Sequence, residues 1–232
     1  MIRVAASAGA PPPPTESHPM TASPQTPAAP VEIELDRVAD TCTAAAAQLD
    51  GCLAQIDELV ARLEPAEYAT PLEGIFGGSI GGHVRHCLDH VRVLVEVAEG
   101  AGHDPAAPAD YDTRARGTDI ESNPVSARSH LADLRSRLAA AAHGPLDRPV
   151  ALSVMLSGDG LRVPMGSTLG REIGFVFSHT IHHQAMIGGM ARHLGVAVPA
   201  GFGRAPSTIA HDRGRPAAEA GDAAAGSGSC AR

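Results

Sequence analysis

Arg171–Met190 reads REIGFVFSHTIHHQAMIGGM and sets His179 and His183 four residues apart inside an otherwise apolar run. On a helix that spacing stacks two imidazoles on one face, one turn apart. An apolar helix gains nothing by burying two imidazoles that could find water elsewhere, unless something in the core binds them. A metal ion is the obvious candidate.

A second stretch answers the first. Ser79–His90, SIGGHVRHCLDH, carries His83, His86 and His90 at offsets of three and four, the stripe that one helix face shows its neighbour. Six of the chain's twelve histidines therefore lie in two short helical segments. Histidine is the commonest metal ligand, and three imidazoles with one open position form a known catalytic arrangement for zinc. An HxxxH on one helix is weak evidence; the second stripe is what strengthens it. The chemistry is expected between these two helices.

The chain has 232 residues and a formal charge of −8, which argues against a nucleic-acid partner. With no Trp, two Tyr and four Phe, the core must be built from Leu, Val, Ile, Ala and Met, which favours closely packed helices. No apolar run approaches the length needed to span a bilayer, so no membrane partner is expected. Cys42, Cys52, Cys87 and Cys230 form no CxxC pair, and a reducing cytoplasm is the simplest reading. Cys42 and Cys52 would lie about 15 Å apart on one helix, too far for a bridge.

Residues 1–30, with PPPP at Pro11–Pro14, read as a disordered segment, and Met20 is an alternative start. The domain is expected over 31–203, and 204–232, rich in Ala, Gly, Ser and charge, reads as a disordered tail. A first helix is expected from about Val31 to Leu63, on the alternation of Leu35, Val38, Cys42, Ala45, Leu49, Cys52, Ile56, Leu59 and Leu63, closed by Pro65 and Pro71. The second runs from its cap Ser79 to about Glu99, with Gly100 as its stop. A long loop, residues 102–124, follows. Its Asp112, Arg114 and Arg116 are candidate contacts for a substrate carboxylate, set against the reading as a solvated charge run.

Asn123 and Pro124 start a third helix, carried by Ala127, Leu131, Leu134, Leu138 and Ala141. Val150–Leu156, the turn SGDG and Leu161–Met165 read as a β-hairpin. The fourth helix is capped near Ser167 or Thr168 and ended by Gly195. The expected fold is all-α: an antiparallel four-helix bundle with a small β-hairpin inserted before the last helix and disordered termini. Glu172, seven residues before His179, shares the face of the His pair. It could ligate, orient an imidazole or act as a base, or simply favour the helix dipole.

These motifs carry a resemblance. SIGGHVRHCLDH, followed some ninety residues later by HxxxHHQ, resembles the DinB-like (DinB and YfiT-like) superfamily of metalloproteins over about residues 31–200. The resemblance implies a three-His metal site at His86, His179 and His183. It leaves His90, one turn beyond His86, to support a ligand or line the substrate pocket, and His90 and Glu172 are the candidate catalytic groups. Where the common pattern has Arg-Gly-Gln after the last His, this chain has Gln184, Ala185 and Met186.

The resemblance further implies one divalent metal ion, with zinc the default and nickel or iron suited to the same donors. It implies a homodimer, and an enzyme acting on a small molecule as a transferase or isomerase that uses a low-molecular-weight thiol. The alternatives are a metal-dependent hydrolase and a stress-linked metal-binding or interaction module without turnover. A further possibility is Fe(II) in a two-His, one-carboxylate site of His179, His183 and Glu172, with His86 spare.

Overall fold

The computed structural model describes residues 38–113 and 116–214. The expectations for residues 1–37 and 215–232, and for Arg114, lie outside the described residues.

α1 (Val38–Val60) buries Cys42, Ala46, Leu49, Leu53, Ile56 and Leu59 along one stripe. The seam is turned slightly from the expected one, so Ala46 and Leu53 are buried while Ala45 and Cys52 lie half-buried at its edge. Pro65, expected to close this helix, instead opens a new one, α2 (Pro65–Ala69). The ring supplies a φ suited to the first helical position, where its missing N–H costs nothing. Glu64 and Glu67 cap that turn reciprocally, and Tyr68 reaches inward to donate to the carbonyl of Ile120 at 2.8 Å.

α3 (Ile80–Glu99) starts and stops where its local signals require. Ser79 Oγ accepts from the Gly82 N–H at 3.0 Å, and Gly100 ends the helix at φ 122°, a conformation that L side chains avoid. Gly81 lets the helix approach α4 (Asp119–Ser122), because a Cβ there would stand 2.0 Å from the Glu121 carbonyl oxygen. α5 (Pro124–Ala141) is capped by Asn123, whose side chain accepts from the N–H groups of Val125 and Ser126. Its buried stripe, Ala127, Leu131, Leu134 and Leu138, is the expected one.

β1 (Pro149–Met155) and β2 (Arg162–Thr168) form the antiparallel hairpin, with Val150 opposite Ser167. The loop after α3 lies along the free edge of β1, where the Ala109 N–H donates to the Ala151 carbonyl and the Ser153 N–H to the Ala109 carbonyl. β2 runs directly into α6 (Leu169–His193), which is capped by Thr168.

The bundle is made of α1, α3, α5 and α6. α3 packs on α5 and α6, and α1 packs on the same two from the opposite corner. Ion pairs Asp50–Arg135 and Asp57–Arg128 show α1 and α5 running antiparallel. Pairing of His83 with His183 and of His86 with His179 shows the same for α3 and α6. The links α1 to α3 and α5 to α6 each cross to a diagonal helix and carry α2 and the hairpin, while the link between the neighbours α3 and α5 carries α4. No helix among the described residues is long and apolar enough to cross a membrane.

Part of the expected tail is a helix, α7 (Pro206–Gly214). Its local pattern is weak, and long-range contacts hold the approach to it. The Gly203 N–H donates to Gln184 Oε1, and Gly203 sits so close to α6 that a Cβ would meet the Ala185 backbone at 2.5 Å.

Candidate metal centre

The antiparallel pairing of α3 and α6 brings five imidazoles together. His86 Nε2 and His179 Nε2 stand 3.2 Å apart, and His83 Nδ1 and His183 Nδ1 also stand 3.2 Å apart. His90 stacks on His179, with ring centroids 4.0 Å apart and planes 20° from parallel. His183 touches both His86 and His179, at centroid distances of 4.7 and 4.5 Å. His182 is exposed beside them.

The ligand atoms of His86, His90 and His179 all lie within 4.8 Å of one another. The resemblance had placed His183 in this set and His90 outside it. As the rings stand, His183 turns its Nδ1 toward His83. His90 Nδ1 lies 3.0 Å from the His86 carbonyl, which can only accept, so Nδ1 carries the proton and Nε2 is left with its lone pair. That backbone bond orients His90 as outer hydrogen bonds orient metal-binding imidazoles.

Burial first, and then the neighbouring imidazoles of His179, His83, His182 and His90, push the His183 pKa down to about 3. Burial likewise lowers that of His83. His183 is therefore neutral at pH 7, with a lone pair available. Among the described residues, no carboxylate joins the group of close ligand atoms. Such a nitrogen-only donor set fits a borderline divalent cation of the zinc, nickel or iron kind better than calcium or magnesium, which take oxygen ligands.

Glu172 is fully buried at the flank of this cluster. Its Oε1 accepts from Ser167 Oγ at 2.5 Å and Arg171 Nη1 at 3.0 Å, and the carboxylate also faces the Tyr111 phenol. Tyr111 stands over His90, with centroids 5.5 Å apart and planes 25° from parallel, and edge-on to Phe175. Burial and then the Glu172 charge raise its phenol pKa, so the hydroxyl stays protonated. Glu172 thus meets the cluster through Tyr111, which stacks on His90.

The loop residues separate. The Asp112 carboxylate accepts from the Met155 N–H at 2.7 Å and so pins the loop to the hairpin. Arg116 is exposed. Tyr111 and Phe175 were not singled out from sequence. The available signal was the rarity of aromatics, which makes a Tyr in the polar stretch Asp110–Thr113 unusual.

On the side away from Tyr111, a cavity of about 260 Å³ opens over His83, His86 and His183. Its rim is formed by Gly77, Gly78, Ser79 and Gly82, with Arg85 in the wall. Arg85 is engaged by Asp89 and Glu121.

Three similarities to known proteins accompany this geometry. The family model of the DinB superfamily matches residues 48–187, more than half of the chain. FK506-binding protein 5 of Rhizopus delemar is 32% identical over 103 residues, covering 44% of this chain and 27% of that protein, so the chain spans under a third of that relative's length. Among solved structures, YfiT from Bacillus subtilis superposes with a TM-score of 0.50 at 18% identity, covering 73% of this chain and 94% of that one. YfiT is described as a probable metal-dependent hydrolase with an unusual four-helix bundle topology. At that identity the likeness speaks for the fold.

Proposed function

The chain belongs to the DinB superfamily, and from that premise we propose that it is a divalent-metal-dependent enzyme acting on a small molecule at the α3–α6 histidine cluster. The observation that carries this reading is the convergence of His86, His90 and His179 ligand atoms within 4.8 Å, beside an open cavity. His86 and His179 hold the cation. His90 supplies the third imidazole as the rings stand, and His183, which touches both, is the third ligand that the family resemblance implies.

A divalent cation held by neutral imidazoles keeps its full charge and, as a Lewis acid, lowers the pKa of a water or thiol that reaches it. The chain's own residues shape the approach. Gly77, Gly78 and Gly82 put no side chains on their part of the cavity rim, so a substrate can come close to His86. Tyr111 and Phe175 close the opposite side with aromatic surface.

The preferred reaction is group transfer to a small cellular thiol. The description of YfiT supports a second reading, hydrolysis, on the same fold. The two are separated by incubating the zinc-loaded protein with chlorodinitrobenzene and free cysteine, and separately with p-nitrophenyl acetate and no thiol. Thioether formation that is lost in His86→Ala supports transfer. Ester cleavage alone, lost in the same variant, supports hydrolysis. If neither reaction is catalysed across a panel of thiols and esters, the module without turnover replaces both.

A further inference from the structure

Glu172 is a carboxylate with no exposed surface. Burying a charge is costly, and an apolar side chain would fill the same position at less cost. The fold nevertheless supplies it with partners from three directions: Ser167 Oγ from the end of β2, Arg171 Nη1 from the surface, and the Tyr111 phenol from the loop after α3. Among the described residues, the Tyr111 hydroxyl and Glu172 Oε2 are both buried and have no hydrogen-bond partner beyond each other.

We propose that Glu172 and Tyr111 form one positioning unit for the metal centre: Glu172 holds the phenol, and the Tyr111 ring braces His90 against His86 and His179. That role rests on the metal-dependent reading above and deepens it. It makes Glu172 a positioning residue, acting on the cation through Tyr111, in place of a base or a ligand.

Two observations carry it. The first is an unbroken line of contacts. Tyr111 stacks on His90, and His90 in turn stacks on His179 at 4.0 Å and meets His86 edge-on at 4.5 Å between centroids. His90 Nδ1 also bonds back to the His86 carbonyl. One ring therefore bears on both His86 and His179, and does so with His90 or His183 as the third ligand alike.

The second is that Tyr111 is fixed from both sides. Its neighbour Asp110 pairs with Arg162 at 2.8 Å, and its neighbour Asp112 accepts from the Met155 N–H at 2.7 Å. These bonds set the backbone around Tyr111, and Glu172 sets the far end of its side chain. Outer partners that orient metal-binding imidazoles in this way are worth about 10–100-fold in metal affinity.

The test is the zinc affinity of the full, tag-free chain, by competition against a chromophoric chelator, read beside the visible absorption of the cobalt-loaded protein. Glu172→Gln and Tyr111→Leu are each expected to weaken zinc binding about 10–100-fold and to shift the cobalt bands. Adding Glu172→Gln to Tyr111→Leu is expected to cost no more than about twofold further, because the carboxylate acts only through the ring. Tyr111→Phe, which keeps the ring and loses the hydroxyl, takes the place of Tyr111→Leu in the cycle if that variant misfolds. Unchanged zinc affinity and cobalt bands in folded Glu172→Gln, or losses that multiply in the double variant, would overturn the positioning unit and leave the metal-dependent reading standing. A wild-type chain that binds neither zinc nor cobalt would overturn both.

Discussion

His86 Nε2 faces His179 Nε2 at 3.2 Å across the α3–α6 interface. α3 and α6 each bring only part of the histidine cluster, and their antiparallel packing joins the two parts. Replacing either residue with Ala is expected to weaken zinc binding by roughly 100-fold or more, since even outer supports of metal ligands are worth about 10–100-fold. Competition against a chromophoric chelator measures this.

The cluster also sets an acid limit on the metal-free protein. The folded His183 pKa is lowered to about 3 from an ordinary 6.5, first by burial. Between those values the unfolded chain holds the proton that the folded chain refuses. Stability is therefore complete above about pH 6.5 and is lost as pH falls through the window toward 3. Urea midpoints of the metal-free protein should decline from pH 7.5 to pH 5, and His183→Asn should flatten that decline.

How much of this was legible follows from the range of each signal. Ser79, Gly100, Asn123 and the Leu131, Leu134, Leu138 stripe act within one or two turns, so the helices they define could be read directly. The two histidine stripes were legible for the same reason. The partner choice was not, because whether His90 or His183 turns toward His86 depends on a backbone carbonyl and on His83, across two helices. α7 escaped because what anchors the chain leading into it, the Gly203 contact to Gln184, joins residues nineteen apart. Tyr111 was hidden among charged neighbours whose own work is to pin the loop to the hairpin.

Gln184 follows His182 and His183 in sequence but works for the fold. Its amide donates to the Cys52 carbonyl at 2.8 Å, and its oxygen accepts from the Gly203 N–H. Gln184→Leu would strand a buried carbonyl and an N–H, costing roughly 2–4 kcal/mol. Thermal unfolding should show a lowered midpoint, with metal stoichiometry unchanged in the folded fraction.

Gly81 marks the closest approach behind the site. A Cβ at this position would meet the Glu121 carbonyl oxygen at 2.0 Å and the Tyr68 ring at 2.7 Å. Gly81→Ala is expected to destabilise by about 2–3 kcal/mol, as overpacking does, because a backbone atom must move. Gly51→Ala, at a helical position with nothing within 4 Å, should be neutral or slightly stabilising in the same denaturation measurement.

The most direct test of the central claim is the metal content of the tag-free protein as purified, compared with a variant carrying both His86→Ala and His179→Ala. At least one divalent ion per chain, absent from the folded double variant, is the expected result. A wild-type protein that holds no ion and takes up none when zinc is supplied, or a double variant that retains the ion, would contradict the assignment.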